Sequence, residues 1–272
     1  FQKEHDSDGR TVTEFKEEKE MTRIMMHGCN GRMGQFITEL CKKDENAVIV
    51  AGVDAWDDGH NAYPVYLSVG QVQEEADVVI DFSSANAMEN LLVDCVGKKL
   101  PCVLCTTGFS EEQLSFMKKK SEEIAILKSA NMSLGINVLM KLLKEATKTF
   151  APAGFDIEIV EKHHNQKLDA PSGTALALAD AINEELDPKY EYVYDRSTRR
   201  EKRPEKEIGI SAVRGGSIVG DHDVLFCGPD EVITISHRAY SRGVFAKGAI
   251  EAAKFLAGKA PGMYDMQQVI GE

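Results

Sequence analysis

Apolar residues along the first half of the chain follow two alternating patterns. Residues 23–27 and 47–53 are nearly continuous apolar runs, which is typical of strands buried on both faces of a parallel sheet. The segment between these runs carries apolar residues at the spacing of one helix face, namely Met33, Phe36, Ile37, Leu40 and Cys41. The pattern predicts a strand, a glycine turn, an amphipathic helix and a second strand in succession.

The same alternation continues to about residue 150. Further strands and helices are predicted in turn, the strands over residues 77–82, 101–105 and 124–127 and the helices over residues 85–96 and 134–149. Another helix begins at a capping box formed by Ser110 and Gln113. Alternating strands and helices are typical of an α/β fold with a Rossmann-like, doubly wound parallel sheet. We therefore expect residues 21–150 to form an N-terminal domain of this class.

The pattern changes after Pro152. A strand is predicted over residues 155–162, a helix follows residues 171–173, and residues 187–207 are predicted to be a polar loop. Strand-like stretches then follow one another without helices between them, over residues 208–214, 217–226 and 231–239. Their glycine-containing turns favour a mixed or antiparallel sheet, so we expect residues 151–240 to form a C-terminal α+β domain. A final helix over residues 244–256 is expected to return to the first domain, together with the rest of residues 241–272.

Composition and charge exclude several classes of protein. The 272 residues are 43% hydrophobic and 28% charged, and the mean hydropathy is −0.28, as in a folded globular protein. A formal net charge of −12 argues against binding to nucleic acid or to an anionic membrane surface. The six cysteines are scattered through apolar segments without an export signal, so we expect reduced thiols and a cytoplasmic protein. Residues 1–20 are polar and aperiodic, and we expect a disordered leader or a remnant outside the fold.

A glycine loop separates the first predicted strand from its helix. Its residues are Gly28, Cys29, Asn30, Gly31, Arg32, Met33 and Gly34, with the spacing GxxGxxG. Glycines at such a position let the backbone approach a pyrophosphate held at the helix N-terminus. Glycine turns join many strands to helices, so the loop alone is weak support for a dinucleotide site.

The residue that strengthens the dinucleotide hypothesis is Asp54, at the end of the next predicted strand. A carboxylate there can accept hydrogen bonds from an adenosine ribose diol. The residues after it are Ala55, Trp56, Asp57 and Asp58, and this acidic cluster would repel a 2′-phosphate. We therefore predict that NADH is preferred over NADPH. Use of NADPH stays open, because Arg32 could offset part of the repulsion.

Two further loops follow later strands of the predicted parallel sheet. Thr106 and Thr107 come after one strand, and a second loop comprises Ser129, Ala130, Asn131 and Met132. Loops at the carboxyl ends of parallel strands line the ligand crevice. Small polar residues there can hold the ribose and carboxamide of a nicotinamide, although they also suit ordinary turns and helix caps.

The densest group of chemically active residues lies between residues 158 and 175. His163, His164 and Lys167 precede the predicted helix start formed by Ser172, Gly173 and Thr174. A helix start binds anions through its free N–H groups and its dipole, and an imidazole exchanges protons near neutral pH. The alternative is a strand end with exposed basic residues beside a capped helix.

In motif order from Met21 to the C-terminus, the glycine loop, the TTG and SANMSLG segments and the HHxxKxDAPSGTA stretch resemble the dihydrodipicolinate reductase family. The resemblance implies NAD(P)H-dependent reduction of 4-hydroxy-tetrahydrodipicolinate, via dihydrodipicolinate, to tetrahydrodipicolinate in diaminopimelate and lysine biosynthesis. It implies proton exchange by His163, proton donation by Lys167 and a substrate contact by His164, with Gly173 and Thr174 as a carboxylate clamp beside Ser172.

The resemblance further implies that the glycine loop, Asp54 and Cys105 to Thr107, together with Ser129 to Met132, bind the dinucleotide. It also implies a homotetramer built through the second domain.

The chain departs from the family pattern at three places. Asn165 and Gln166 stand where relatives often carry Arg and His, which puts substrate affinity in question. Cys105 replaces a frequent glycine, and Ala55 replaces a frequent arginine, in accord with NADH preference.

Other readings are kept open or are weaker. The chain could be a regulator that binds a dinucleotide without catalysis, or a dehydrogenase acting on another small acid. The Cys102–Cys105 spacing resembles a redox motif but lies in a predicted buried strand, which argues against a reactive thiol. The remaining histidines lack metal-ligand spacing, so no metal is expected.

Overall fold

The computed structural model describes residues 4–5, 11–12, 21–129 and 131–271. The strands are β1 (Glu4–His5), β2 (Thr11–Val12), β3 (Thr22–His27), β4 (Ala47–Val53), β5 (Val65–Tyr66), β6 (Val78–Asp81), β7 (Cys102–Leu104), β8 (Ala125–Lys128), β9 (Asp156–His163), β10 (Glu191–Val193), β11 (Glu207–Arg214), β12 (Gly220–Cys227), β13 (Val232–Ala239) and β14 (Gly262–Tyr264). The α-helices are α1 (Arg32–Cys41), α2 (Met88–Lys98), α3 (Glu111–Lys120), α4 (Leu134–Phe150), α5 (Gly173–Glu184), α6 (Gly243–Leu256) and α7 (Met266–Val269).

The first sheet confirms the predicted doubly wound fold. Its seven strands lie in the order β14-β8-β7-β6-β3-β4-β5, and every neighbouring pair is parallel. The chain leaves β3 in one direction through β4 and β5 and then returns to the other side of β3 with β6. The winding therefore reverses between β3 and β6, and ligands of such sheets bind in the crevice at that point.

Both faces of the first sheet are covered, as the continuous apolar strands required. One buried cluster contains Ile37 of α1, Ile250 of α6 and the inward side chains of β3 and β6 on that face. The opposite cluster contains Leu92 of α2, Met117 of α3 and the alternate side chains of the same strands. The last long helix, α6, thus packs on the first sheet, and the assignment of residues 241–272 to the first domain stays a prediction. No helix of the described residues is long and apolar enough to cross a bilayer.

The second sheet is mixed, as predicted. Its order is β10-β11-β9-β12-β13, in which β11 runs parallel to β9 while β12 and β13 continue as antiparallel neighbours. Side chains along β9 alternate strictly, the inward-facing ones being buried and the outward-facing ones half-buried. The buried face packs against α4 and α5 around residues such as Leu143, Leu178 and Phe226.

Helix α4 packs against the second sheet, although the sequence pattern predicts it within the first domain, which was expected to end at residue 150. Its residues Ile136, Leu139 and Leu143 lie in the core over the second sheet. The apolar face of α4 does not itself indicate which sheet covers it. Residues up to Met132 pack in the core of the first sheet, and residues from Ile136 pack in the core of the second sheet, so the change falls close to Ser133. The division of the chain into two folding units stays a prediction.

Several short elements were not predicted. β10 lies within residues 187–207, which we expected to be a loop, and β5, β14 and α7 each have four residues or fewer. Such elements are too short to show a period and owe their place to neighbouring strands. Within the predicted leader only β1 and β2 are described, and they pair antiparallel. The rest of that prediction lies outside the described residues.

Candidate functional site

The glycine loop is closed so tightly that two of its positions require glycine. Gly28 has φ +81°, and a Cβ there would lie 2.8 Å from the carbonyl oxygen of Phe82. A Cβ on Gly34 would lie 2.3 Å from the carbonyl oxygen of Gly28. The chain thus turns directly from β3 into α1 at the point where the sheet reverses. The backbone there fits the close approach of a pyrophosphate.

The carboxylate of Asp54 faces this loop from the end of β4. Its Oδ2 accepts a hydrogen bond of 2.9 Å from the Asn30 backbone N–H, and its Oδ1 accepts one of 2.8 Å from the Ala55 N–H. Asp54 borders a cavity of about 470 Å³ that reaches across the reversal point of the sheet. The lining residues are His27, Gly28, Asn30, Gly31, Asp54, Ala55, Trp56, Leu67, Phe82, Ser83, Ser84 and Ala87.

Other loop residues have different environments. The Cys29 side chain is fully buried in the core, where burial raises the pKa of its thiol to about 12. Met33 is half-buried against the same core, and Arg32 is exposed at the first position of α1. The side chains of Cys29 and Met33 therefore support the loop from behind, so contact with a ligand there falls to the backbone.

A buried aspartate that sequence reasoning missed organises the crevice. Asp81, at the end of β6, is fully buried. Its Oδ1 lies 2.7 Å from His27 Nδ1 and accepts a hydrogen bond of 2.6 Å from Ser83 Oγ, while Oδ2 accepts one of 2.7 Å from Thr106 Oγ1. Asp81 thereby joins the ends of β3, β6 and β7. A carboxylate closing a buried apolar strand was a signal that could have identified it.

The remaining residues of the TTG loop are more open. Thr107 is exposed, and Cys105 is half-buried with the pKa of its thiol raised well above the usual range by burial. A protonated thiol of this kind is a poor nucleophile, which agrees with our argument against a redox role for Cys102 and Cys105.

The SANMSLG segment contacts the second sheet's helix directly. Asn131 is buried, and its Nδ2 donates a hydrogen bond of 2.9 Å to Oγ1 of Thr174 at the start of α5. Its Oδ1 accepts a hydrogen bond of 2.8 Å from the Ser133 N–H. Met132 is buried in the first core, and Ser129 is half-buried. Ala130 lies outside the described residues.

The helix start predicted from residues 172–174 is present. Ser172 caps α5, and its Oγ accepts a hydrogen bond of 3.1 Å from the Ala175 N–H. Gly173 is exposed, and Thr174 is half-buried. The first turn of α5 therefore presents backbone N–H groups and one hydroxyl beside the Asn131 loop.

His163 lies next to this helix start, at the end of β9. It is buried, and its Nδ1 lies 2.6 Å from Oε2 of the fully buried Glu161. Burial lowers the pKa of His163 below the usual value, although Glu161 acts in the opposite direction. Burial alone would raise the pKa of Glu161, but hydrogen bonds from Arg214 and His163 outweigh it and hold that pKa below its usual value. Both shifts favour a neutral imidazole beside an ionised carboxylate at neutral pH.

Lys167 and His164 lie on the loop that leads from β9 to α5. Lys167 Nζ forms an ion pair of 2.8 Å with Asp169 Oδ1, and its side chain is 22% exposed. This hydrogen bond lowers the pKa of Asp169. His164 is half-buried, while Asn165 and Gln166 are exposed. The structure therefore brings His163, Lys167 and the start of α5 to one region, and their roles stay predictions.

Two further histidines extend from His163 along neighbouring strands. His222 of β12 is buried, with its ring centroid 5.2 Å from that of His163 and its Nε2 3.2 Å from Ser172 Oγ. His237 of β13 lies beyond His222, with 6.5 Å between the ring centroids of these two residues. Burial lowers the pKa of His222 to about 4. Sequence analysis missed both residues because their proximity depends on strand register.

This arrangement defines a class of protein. A glycine turn, an acidic strand end and a cavity at the reversal of a doubly wound sheet are the features of a pyridine-nucleotide-binding oxidoreductase. The end of β9, the loop after it and the start of α5 add an imidazole, an ammonium and backbone N–H groups, and Thr174 joins this region to the Asn131 loop.

The chain belongs to the dihydrodipicolinate reductase family. The model for "Dihydrodipicolinate reductase, N-terminus" matches residues 22–132, and that for "Dihydrodipicolinate reductase, C-terminus" matches residues 135–270. Our expectation from the motifs is therefore confirmed.

Individual relatives agree with this assignment. The chain is 56% identical over 250 residues to the 4-hydroxy-tetrahydrodipicolinate reductase of Caldanaerobacter subterraneus subsp. tengcongensis, covering 92% of this chain and 98% of that one. It is 53% identical to the enzyme of the same name from Clostridium tetani, covering 90% and 96%. The solved structure of dipicolinate-bound dihydrodipicolinate reductase from Paenisporosarcina sp. TG-14 matches with a TM-score of 0.75 and 26% identity, covering 90% and 97%.

Proposed function

We propose that the chain catalyses the reduction of 4-hydroxy-tetrahydrodipicolinate, through dihydrodipicolinate, to tetrahydrodipicolinate in diaminopimelate and lysine biosynthesis. The reaction is inferred from membership of the family. The observation that supports its location is the hydrogen bond between Asn131 and Thr174, since it joins the nucleotide crevice to the start of α5. A site that must bring a cofactor and a dicarboxylate together requires such a junction.

We assign dinucleotide binding to the crevice between β3 and β6. The backbone of residues 28–34 would hold the pyrophosphate, and Asp54 would accept hydrogen bonds from the ribose diol. Thr106 and Thr107, with Ser129 to Met132, would hold the nicotinamide end. A bound nicotinamide supplies the hydride, and the protein supplies orientation and exclusion of water.

NADH is proposed as the preferred cofactor. Asp54 borders the cavity directly, and Asp57 and Asp58 follow it in the same exposed loop. Three carboxylates near a ribose favour its diol and repel a 2′-phosphate. Arg32 is not among the residues that line the cavity, which supports the same preference.

The substrate's carboxylates are assigned to the start of α5 and to Lys167. The backbone N–H groups of Gly173 and Thr174 and the Thr174 hydroxyl suit one carboxylate, and the helix dipole favours its charge. The Gly173 N–H now faces the Asp169 carboxylate, whose place the substrate carboxylate would take. The Lys167 ammonium suits the second as a point charge, with His164 as a further contact. Substrate binding would displace Asp169 as the ion-pair partner of Lys167.

Hydride addition must be accompanied by protonation of the reduced centre. Lys167 carries an ammonium proton, and His163 can exchange a proton through Nε2 while Nδ1 remains bonded to Glu161. The two groups lie in one loop region, so both are assigned to proton transfer, with Lys167 as the donor. We further propose a cytoplasmic homotetramer assembled through the exposed face of the second sheet, which includes Val213 and Val232.

A steady-state assay across substrates tests this function. The purified chain should oxidise NADH in the presence of freshly generated 4-hydroxy-tetrahydrodipicolinate and be at least about 10³-fold less active with linear 2-oxo acids. Efficient turnover of a 2-oxo acid would favour a dehydrogenase for another small acid. Tight NADH binding without turnover of either substrate would favour a non-catalytic regulator.

A further inference from the structure

One buried carboxylate lies directly behind the proposed proton-exchanging imidazole. Glu161 is two residues before His163 on β9, so both side chains point to the same face of the sheet. Besides His163, Arg214 donates hydrogen bonds of 2.8 and 2.7 Å to the two oxygens of Glu161. The Ser172 backbone N–H donates a further bond of 3.0 Å to Oε1. A buried carboxylate with these partners is fixed in one orientation.

Arg214 carries this arrangement into the neighbouring loop. Its second terminal nitrogen also donates a hydrogen bond of 2.6 Å to the carbonyl oxygen of Asp169. Asp169 is the ion-pair partner of Lys167, and Ser172 is the cap of α5. Glu161 and Arg214 together therefore contact all three parts of the proposed site: the imidazole, the Lys167 loop and the helix start.

We propose that Glu161, held by Arg214, is a positioning residue that fixes His163 as the tautomer with its proton on Nδ1. An ionised carboxylate only accepts hydrogen bonds, so the nitrogen facing it must carry the proton. Nε2 is then the nitrogen that can exchange a proton with substrate. This inference rests on the proposed role of His163 and adds the residues that make the imidazole competent.

The surroundings of Nε2 support this assignment. Nε2 lies against Gly220 of β12, where a Cβ would be only 3.0 Å away. A side chain at residue 220 would therefore crowd the exchanging nitrogen. The glycine avoids this crowding at Nε2, while Glu161 holds the ring through Nδ1.

Several charged or titratable groups face His163 from the elements around it. They are Glu161 on its own strand, Arg214 on β11, His222 on β12 and Lys167 in the following loop. Burial, Lys167 and Arg214 all lower the pKa of His163, whereas Glu161 raises it. Removing the charge of Glu161 therefore leaves mainly lowering influences, and the pKa of His163 should fall further.

Glu161→Gln tests the proposal because it keeps the size of the side chain and removes its charge. We expect kcat to fall at least about tenfold, NADH affinity to stay within about threefold, and the apparent pKa of kcat/KM to move to lower pH. Imidazole ¹⁵N shifts should report the Nδ1–H tautomer for His163 in the wild-type protein and a mixture in the variant. Glu158→Gln is the matched control, since Glu158 lies on the same strand, faces the other side and pairs with Arg196 and Arg203.

A double variant separates positioning from a general structural effect. In a His163→Gln background, Glu161→Gln should cost less than about threefold in kcat, because a residue that acts through the imidazole has nothing left to position. Fully additive losses, or an unchanged tautomer and pH profile, would overturn the proposal. If Glu161→Gln fails to fold, Arg214→Lys replaces it, with smaller shifts of the same sign expected and no shift contradicting the proposal.

The proposed function has a separate test, whose outcome does not depend on Glu161. Wild-type turnover in His163→Gln would remove the histidine from the reaction, whereas the ¹⁵N measurement would still decide whether Glu161 fixes its tautomer.

Discussion

Replacing Thr174 by Val removes one hydroxyl and should affect two interactions at once. The hydroxyl accepts the 2.9 Å hydrogen bond from Asn131 Nδ2, and Asn131 is only 8% exposed. Leaving a buried amide donor without its partner costs roughly 1–3 kcal/mol. We therefore expect the free energy of unfolding to fall by about 1–2 kcal/mol, since residual exposure lets water compensate in part. Losing the hydroxyl from the proposed carboxylate clamp should raise substrate KM about tenfold, which corresponds to ~1.4 kcal/mol.

Urea unfolding and steady-state kinetics read the two effects separately. Thr174→Ser is the matched control, because it keeps the hydroxyl and should retain most of the stability and the substrate KM. NADH affinity by fluorescence titration should stay within about threefold in both variants, and kcat should change little in either. A Thr174→Val enzyme with wild-type substrate KM would refute the clamp. Equal losses in Thr174→Ser and Thr174→Val would show that the hydroxyl is not the cause.

Further predictions concern the cofactor, the glycine loop and pH. Asp54→Asn should lower the ratio of the KM for NADPH to the KM for NADH about tenfold or more. An unchanged ratio would contradict the charge argument. Gly28→Ala should destabilise the fold and abolish tight NADH binding, whereas Gly59→Ala, with a similar φ of +73° but no described atom within 4 Å of its Cβ, should cost only about 1 kcal/mol. His222 has a pKa lowered from 6.5 to about 4 by burial. The unfolded chain then binds more protons in that window, so stability should fall as pH drops from 6.5 to 4, by on the order of 3 kcal/mol. His222→Asn should flatten this part of the dependence of the urea midpoint on pH.

Hydrophobic periodicity predicted most of the longer elements because their spacing reflects burial directly. The continuous run of β4 and the alternating positions of β9 were found at their true places, since each face of a strand meets a defined layer. The capping box at Ser110 located the start of α3 because it is a local hydrogen-bond pattern. The packing of α4 against the second sheet was not predictable, since an apolar helix face does not specify its partner.

The candidate site was predictable only where chemistry is carried by neighbours in sequence. Residues 163–174 form one loop and helix start, so their types and spacing were enough to propose a site there. Glu161 and Arg214 pair across strands far apart in sequence, and no local pattern marks them. His222 reaches Ser172 for the same reason. Strand register brings these residues together, and register becomes visible only in the folded chain.

Proton transfer from residues of the second domain is the central claim of this account. It is tested most directly by stopped-flow NADH oxidation with freshly generated 4-hydroxy-tetrahydrodipicolinate in the wild-type protein, Lys167→Ala and His163→Gln. We expect the hydride-transfer rate to fall by ~10² to 10⁴ in each variant, while the dissociation constant for NADH changes less than about threefold. Wild-type rates in both variants would contradict the account and leave the protonation to bound water or to another residue.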